Sequence, residues 1–372
     1  MAIITILGAG RMGAAVTWPL LDNGHEVRLV GTHLDDDIIW SLRERCFHPS
    51  LNRRVPEGLQ PYLLGELPRA LEGAEVIVSG VNSLGARWAG RTLAPLLCPG
   101  AVILSLTKGV EADGDTLRIM PEVLAAELPK TLRYQVSINA VAGPVLAYEL
   151  SGRRISATVF AGHDEAPLRA LRNIFANDYY RVWCSTDVVG AETFAALKNA
   201  YVVGIGAARG MLEAAGGPDE IGAQMHNTAA LLFAAAAKEL AHLADMMRQM
   251  KNPGFRRVWA WDRPAISEAS ISNLQAAGDL YVTATGGRTF RLGWLLGTGL
   301  TYSQAKEVMQ EDTLEGAFAA LEMAKVLPVW QREGWIGDVE LPMLRAIVRA
   351  LTEDTPLELP WGDLMGVGRV FV

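Results

Sequence analysis

Cysteine and clustered metal ligands are scarce in this sequence of 372 residues. Its three cysteines, Cys46, Cys98 and Cys184, lie far apart and show no C-x-x-C spacing. Such a pattern supplies neither a disulfide framework nor a zinc site, and no His/Cys ligand cluster or Ser–His pairing can be read from the chain. We therefore predict a metal-free protein of a reducing compartment, the cytoplasm.

Excess positive charge and long hydrophobic runs are also missing. The net charge of −7 argues against broad binding to nucleic acid or to acidic membranes. The longest apolar run, at 229–237, is far shorter than the roughly 20 residues that a membrane helix needs. The opening MAIITILGAG has no basic segment of the kind that begins a secretion signal. We predict no membrane span and no nucleic-acid partner.

The first half of the chain alternates short β-like runs with helical stretches. The runs are continuous in Val and Ile, which is typical of strands buried on both faces of a parallel sheet. They cover 3–7, 26–31, 75–81, 101–106, 136–143, 156–162 and 180–185. Strands that alternate with helices predict an α/β domain with a doubly wound, mostly parallel sheet, which we place at 1–186.

The second half reads as helices, with alanine and leucine at helical spacing. The predicted helices are 189–214, 219–250, 301–327 and 340–352, so 187–372 is expected to be an all-α domain. Two stretches are predicted to be connections. One, at 251–270, is rich in tryptophan and arginine, and the other, at 278–293, carries turn residues and two arginines.

The segment GAGRMG, residues 8–13, fits G-x-G-x-x-G between a predicted strand and a predicted helix. In that context Gly8 permits a tight turn, Gly10 lets the backbone approach a pyrophosphate, and Gly13 lets the helix pack closely on the strand. Phosphates would lie at the helix N-terminus. The sequence therefore predicts a Rossmann-type domain that binds a dinucleotide.

The choice between NAD and NADP depends on the end of the second predicted strand. An acidic residue there favours NAD, because it binds the ribose hydroxyls. This chain has Gly31, Thr32 and His33 at that place, with three aspartates only afterwards, at 35–37. Either Thr32 and His33 receive a 2′-phosphate, or an aspartate reaches back. We expect NAD, with NADP possible.

A charged residue interrupts an otherwise apolar helix, FAALKNAYVVGIG, at 194–206. Burying the unpaired ammonium group of Lys198 would cost several kcal/mol. Lys198 and Asn199 therefore either point out of the packed face, as lysine often does at a surface, or meet an anionic group. The residues alone leave both readings open.

Several blocks together resemble the NAD(P)-dependent glycerol-3-phosphate dehydrogenase family. They occur in family order and span nearly the whole chain. The blocks are TKGVE (107–111), AGPVLAYEL (142–150), DVVGAETFAALKNAYVVGIG (187–206), DLYVTATGGR (279–288), LEGAFAALEMAKVL (314–327) and ELPML (340–344).

The resemblance implies a reaction and the residues that carry it. Lys198 would exchange a proton with the C2 oxygen of dihydroxyacetone phosphate or glycerol 3-phosphate, while hydride passes between C2 and the nicotinamide. Lys108 would add positive charge beside that oxygen, and Asp279 would anchor Lys198. The substrate would be bound by Asn199, Thr283, Arg288 and Thr289, with the phosphate on Arg288.

The resemblance also implies a set of cofactor contacts and a homodimer. The contacts are Gly8, Gly10, Arg11, Met12, Gly13, Thr32, His33, Val81, Asn82, Lys108, Ala147 and Arg288. Glu149 and Glu192 match the family pattern as well, either as functional groups or as support for a nearby lysine.

The chain departs from the family pattern at four places. Thr289 replaces a usual asparagine, Val145 replaces a small polar residue, Ala235 replaces a frequent arginine, and 251–270 is an apparent enlargement. These departures leave three alternatives open: the same chemistry on another small ketose or polyol phosphate, a non-catalytic NAD(P)-binding regulatory protein, and a keto-acid dehydrogenase such as a ketopantoate reductase.

Overall fold

The computed structural model describes residues 1–252, 274–310 and 314–365. All but the first two residues of the predicted connection at 251–270 therefore lie outside the described residues. Two compact units are present. In the described parts, the first contains 1–108, 119–192 and 274–275, and the second contains 109–118, 193–252, 276–310 and 314–365. The domain boundary between residues 186 and 187 stays a prediction.

Twelve strands are present in the part of the chain that the structure describes. They are β1 Ile3–Leu7, β2 Glu26–Val30, β3 Phe47–His48, β4 Arg53–Arg54, β5 Leu59–Tyr62, β6 Val76–Ser79, β7 Val102–Ser105, β8 Val110–Asp113, β9 Thr116–Ile119, β10 Ser137–Ala142, β11 Ser156–Ala161 and β12 Tyr180–Ser185. Eight of them form one sheet in the order β12-β11-β10-β7-β6-β1-β2-β5, and every neighbouring pair is parallel except β10 and β11. The predicted mostly parallel sheet is confirmed.

Burial on both faces of the sheet explains the continuous apolar runs. Along β6, Val76 and Val78 belong to one hydrophobic cluster, whereas Ile77 belongs to another. Successive side chains of a strand point to opposite faces, so both faces of this strand are covered. A strand in that position has no polar face, and its sequence shows no alternation.

Sequence patterns missed five strands. Strand β5 reads LQPY and lies at the edge of the sheet, where a proline removes no hydrogen bond between two strands. The pairs β3–β4 and β8–β9 are short hairpin-like elements outside the main sheet. The β8–β9 pair is held by α15 (Glu315–Arg332) of the second unit, since Glu322 accepts the amide of Ala112 and Trp330 donates to the carbonyl of Asp115.

Helices connect the strands of the first unit and build the second. In chain order they are α1 Arg11–Ala15, α2 Thr17–Asp22, α3 Asp36–Arg45, α4 Leu67–Ala70, α5 Ala86–Leu93, α6 Met120–Ala126, α7 Lys130–Arg133, α8 Ala147–Leu150, α9 Glu165–Phe175, α10 Val188–Ala214, α11 His226–Lys251, α12 Asp279–Ala284, α13 Gly287–Gly297, α14 Tyr302–Met309, α15, α16 Pro342–Thr352 and α17 Trp361–Met365. No described helix is long and apolar enough to cross a membrane.

Three predictions for the second half need correction. The helix predicted at 219–250 begins only at His226. The stretch 278–293 is helical rather than a connection, since α12 and α13 occupy it and Gly286 and Gly287 only separate them. The predicted single helix 301–327 is divided into α14 and α15. Gln310 ends α14 in a left-handed conformation, with φ of 52°, which a continuing helix cannot adopt.

Glycines let helices α10 and α13 cross at backbone contact. A Cβ atom on Gly206 would lie 2.4 Å from the carbonyl oxygen of Phe290, and one on Gly293 would lie 1.9 Å from that of Val203. Gly210 and Gly297 are equally close to the opposite helix. Any side chain at these positions would push the helices apart, so the glycines of VVGIGAARG have a packing role.

Candidate active site

The glycine-rich turn has the geometry that the motif predicts. Gly8 has φ of +112°, and a Cβ atom on it would lie 2.9 Å from the carbonyl carbon of Gly80. A Cβ atom on Gly13 would lie 2.1 Å from the carbonyl oxygen of Gly8, so the turn and the start of α1 pack backbone to backbone. A Cβ atom on Gly10 would meet nothing within 4 Å. The open side at Gly10 fits the approach of a pyrophosphate.

An aspartate reaches back to the end of β2. The Oδ2 atom of Asp35 accepts hydrogen bonds from the amide of Thr32 (2.8 Å), the hydroxyl of Thr32 (2.8 Å) and the amide of Ala9 (3.2 Å). The ring of exposed His33 packs edge-on against Trp88, with the ring centres 5.4 Å apart. The acidic charge expected beside β2 is therefore supplied by Asp35. Cofactor contacts by Thr32 and His33 stay predictions.

The other predicted cofactor residues of the first unit follow neighbouring strands of the sheet. Val81 and Asn82 follow β6: the carbonyl of Val81 accepts from Thr107, and the side chain of Asn82 accepts from the amide of Gly85. Lys108 follows β7, and its Nζ donates to the carbonyl of Gly143 at 3.0 Å. Ala147 begins α8 after β10. Carboxyl ends of parallel strands lie at one edge, where such folds bind ligands.

Lys198 is buried and meets an anionic group, which decides between the two readings of its helix. Its side chain is 4% exposed, and its Nζ lies 3.6 Å from Oδ1 of Asp279, which is 3% exposed. The Nζ also donates to Oδ1 of Asn199 at 3.1 Å. Lys198 and Asp279 thus form a buried ion pair within the second unit. Together with the hydrogen bond to Asn199, this pair holds the ammonium group in one orientation.

Asn199 links Lys198 to a second carboxylate. Its Nδ2 donates to Oε2 of Glu315 at 3.4 Å. The amide orientation follows from chemistry, because an ammonium group only donates and a carboxylate only accepts. Gly316 permits this approach, since a Cβ atom there would lie 2.6 Å from the carbonyl oxygen of Asn199. Sequence reasoning did not predict a role for Glu315.

The other predicted substrate residues lie on α12 and α13. The hydroxyl of Thr283 donates to the carbonyl of Asp279, one turn earlier on the same helix. Exposed Arg288 is the second residue of α13, after Gly287 with φ of +89°. Thr289 is buried, and its γ-methyl lies 2.5 Å from where Gly316 would carry a Cβ atom. Substrate contacts by these residues stay predictions.

The departures from the family pattern have different structural settings. Val145 packs against a hydrophobic cluster of the first unit. Ala235 is half-buried on α11. The arginines of the predicted enlargement, Arg256, Arg257 and Arg263, lie outside the described residues.

Glu192, on α10, is a buried carboxyl group that the positive charge of Lys108 and the backbone amide of Met120 both influence. Its side chain is fully buried. Burial raises its pKa to about 8, although the positive charge of Lys108 opposes the shift. At neutral pH the group is mainly protonated. Glu192 therefore provides a neutral acid close enough to Lys108 to feel its charge.

The first unit defines a class of protein. A parallel sheet, a glycine-rich turn between its first strand and first helix, and an acidic side chain at the end of the second strand are the features of a Rossmann-type dinucleotide-binding domain. The second unit adds a buried lysine, Lys198, whose ammonium group is held by Asp279 and Asn199.

Comparison with known proteins narrows that class to one family. Residues 3–167 match the family model for the NAD-dependent glycerol-3-phosphate dehydrogenase N-terminus, and 187–359 match that for the C-terminus. The NADP(+)-dependent glycerol-3-phosphate dehydrogenase of Archaeoglobus fulgidus is 30% identical over 308 residues, which are 83% of this chain and 84% of that protein. The chain belongs to the NAD-dependent glycerol-3-phosphate dehydrogenase family, and the resemblance in its sequence blocks is confirmed.

A further relative supports the family assignment, and two solved structures share the fold. The glycerol-3-phosphate dehydrogenase [NAD(P)+] of Shouchella clausii is 28% identical over 357 residues, or 94% of this chain and 92% of that one. The crystal structure of glycerol-3-phosphate dehydrogenase from Coxiella burnetii shares the fold, with a TM-score of 0.73, 24% identity and 98% of both chains covered. The Plasmodium falciparum enzyme structure has a TM-score of 0.76 at 15% identity, covering 100% of this chain and 96% of that one.

Proposed function

We propose that this protein is a dehydrogenase that moves a hydride between NAD(P)(H) and C2 of dihydroxyacetone phosphate or glycerol 3-phosphate. Family membership supports the reaction class, and the names of the relatives supply glycerol 3-phosphate, whose oxidation at C2 gives dihydroxyacetone phosphate. The observation that carries the proposal is the buried Lys198–Asp279 pair, because it is a proton donor held in a fixed direction.

Lys198 acts as the general acid and base. When bound, the cofactor supplies or takes the hydride at C2. The ammonium group of Lys198 gives a proton to the C2 oxygen in reduction, and the neutral amine takes it back in oxidation. Asp279 stabilises the ammonium form by charge, and Asn199 fixes its direction through a hydrogen bond. Lys108 adds positive charge at the end of β7.

Arg288 holds the substrate phosphate. Its exposed guanidinium stands in the first turn of α13, where free amide groups and the helix dipole also favour an anion. A planar guanidinium can bind two phosphate oxygens at once. Thr283 and Thr289 lie on the same two helices and are proposed to contact the rest of the substrate.

NAD is the proposed cofactor, with NADP as the alternative. The carboxylate of Asp35 lies at the end of β2, where its charge repels a 2′-phosphate. The Archaeoglobus relative is named as NADP(+)-dependent. For this reason the activity with NADH has to be compared with the activity with NADPH. We further propose a homodimer in the cytoplasm; light scattering of the purified protein would test the dimer.

The first experiment offers dihydroxyacetone phosphate to purified protein with NADH and, separately, with NADPH. We expect loss of the reduced-nicotinamide absorbance band, faster with NADH. Binding of NADH without any oxidation would contradict the proposal for this substrate and favour a non-catalytic protein.

A second candidate substrate is a larger ketose or polyol phosphate. The departure at Thr289 favours it: its methyl group packs on Gly316, at the position where the resemblance led us to expect an asparagine. A panel of such phosphates in the same assay would distinguish the two. A higher kcat/KM for a larger phosphate than for dihydroxyacetone phosphate would replace the first candidate.

A further inference from the structure

Two side chains from outside the glycine-rich motif hold the peptide groups of Ala9, the middle residue of Gly8-Ala9-Gly10. The Nε2 atom of His48 lies 2.8 Å from the carbonyl oxygen of Ala9, and Oδ2 of Asp35 accepts the amide of Ala9 at 3.2 Å. Ala9 and His48 are both fully buried. The centre of the nucleotide-binding turn is therefore fixed from both sides.

The hydrogen bonds of His48 determine its protonation state. The amide of Leu51, which can only donate, lies 3.1 Å from Nδ1, so Nδ1 carries no proton. Nε2 must then carry the proton that it donates to the carbonyl of Ala9. Burial lowers the pKa of His48, which the nearby charge of Asp35 opposes and that of Arg11 reinforces. The imidazole is neutral at pH 7, in its Nε2–H form.

We propose that His48 is a positioning residue for the cofactor: its Nε2–H holds the Ala9 carbonyl, and thereby keeps the turn open at Gly10 for the pyrophosphate. The inference rests on the proposed function, in which this turn binds NAD(P)H. The amide of Ala9 donates to Asp35, so this amide is already hydrogen-bonded within the protein. Without His48 the buried Ala9 carbonyl loses its partner, and the turn must shift to regain one.

Two substitutions separate the contact with Ala9 from the local contact with Leu51. In His48→Asn, the side-chain oxygen takes the position of Nδ1 and keeps the Leu51 bond, but the side chain is too short to reach Ala9. In His48→Gln, the longer amide brings a donor near the position of Nε2 and restores the Ala9 bond, while the Leu51 bond is lost.

The measurement is NADH binding by fluorescence, with kcat and the KM values for both substrates and the melting temperature of each variant. We expect His48→Asn to weaken NADH binding about tenfold, as loss of a buried hydrogen bond does. His48→Gln should stay within about threefold of the wild type. The kcat at saturating NADH and the KM for dihydroxyacetone phosphate should change little in either.

Equal weakening in both variants, or weakening that follows the melting temperature, would overturn the inference. If neither variant folds, ¹⁵N NMR of histidine in the wild type decides, since an Nδ1–H tautomer at His48 contradicts the proposed bond and an Nε2–H tautomer supports it. A wild type that binds NADH but leaves dihydroxyacetone phosphate unchanged would contradict the proposed function and not the role of His48.

Discussion

The nucleotide-binding turn at 8–13 and the group formed by Lys198, Asn199, Asp279 and Glu315, here called the Lys198 cluster, are built in opposite ways. In the turn, six consecutive residues bring backbone atoms together, and Gly8 and Gly13 meet directly. In the cluster, side chains from α10, α12 and α15 converge, and Asn199 and Glu315 are 116 positions apart. A site made of backbone shows itself as a local motif, whereas a site made of side chains depends on the packing of whole helices.

Removing the cation of the cluster should have the largest effect. Lys198→Ala should lower kcat about 10³-fold, because general acid–base catalysis is lost. The affinity for NADH should remain close to that of the wild type, since the turn belongs to the other unit. Steady-state kinetics and NADH fluorescence check both statements. Lys306→Ala, which removes an exposed lysine of the same unit, is the matched control, and near-normal turnover in Lys198→Ala would refute its role.

A methyl group in the turn should affect binding in a way that depends on its position. In Gly13→Ala the new Cβ would lie 2.1 Å from the Gly8 oxygen, so the turn must open. We expect NADH binding to weaken at least about 30-fold and the melting temperature to fall. In Gly10→Ala the Cβ meets no protein atom within 4 Å, so only NADH binding should suffer. Equal melting temperatures for the two variants would contradict this account.

Two buried carboxyl groups, Glu239 in the second unit and Glu192 in the first, also differ in their surroundings. Glu239 accepts hydrogen bonds from the amides of Met343 and Leu344, at the start of α16, and from the hydroxyl of Tyr201. Glu192 is also fully buried, and the positive charge of Lys108 only partly offsets the effect of its burial. Burial raises the pKa of both groups. Glu239 therefore contributes to helix packing, whereas Glu192 holds a proton.

Glu192 should make the stability of the protein depend on pH. Its pKa rises from 4.5 to about 8 on folding, so the folded protein binds the proton more tightly than the unfolded chain. This stabilisation is complete below pH 4.5 and is lost as pH rises to about 8, by at most about 1.4 kcal/mol per pH unit. Glu192→Gln, which resembles the protonated acid, should remove that slope.

Melting temperatures of Glu192→Gln and the wild type across this pH range measure the effect. The variant should become the more stable of the two as pH rises. Glu57→Gln, at an exposed glutamate, should instead follow the wild type at every pH. A constant difference between Glu192→Gln and the wild type would show that Glu192 ionises normally.

The smallest expected effect concerns Glu239. Tyr201→Phe removes one of its three donors and should lower the free energy of unfolding by about 1 kcal/mol. Turnover should be unchanged, because this cluster supports α16 and no proposed site residue belongs to it. Urea unfolding and the standard assay test the two statements, with Tyr281→Phe, at an exposed tyrosine, as control. A large loss of turnover in Tyr201→Phe would connect this cluster to the Lys198 site.

Sequence patterns predicted the elements whose neighbours are local. Strands 3–7 and 180–185 and the start of α10 agree with the structure within one residue, because long apolar runs have few alternatives. The edge strand β5 was missed, since Pro61 reads as a turn signal. Helices α12 and α13 were missed because Gly286 and Gly287 are equally typical of a loop, although Leu292 and Leu296, which are four residues apart on α13, are both buried.

The sequence by itself determined the parallel sheet, the dinucleotide turn and the family, because each depends on periodicity or on short contiguous motifs. The tertiary structure showed the contact of Lys198 with Asp279 that the resemblance implied, and it alone decided that Asp35 reaches back to β2 and that His48 holds Ala9. The physical reason is the range of the interactions. Backbone conformation is set by neighbouring residues, whereas the partner of a buried polar side chain is set by which distant segments the folded core brings within hydrogen-bond distance.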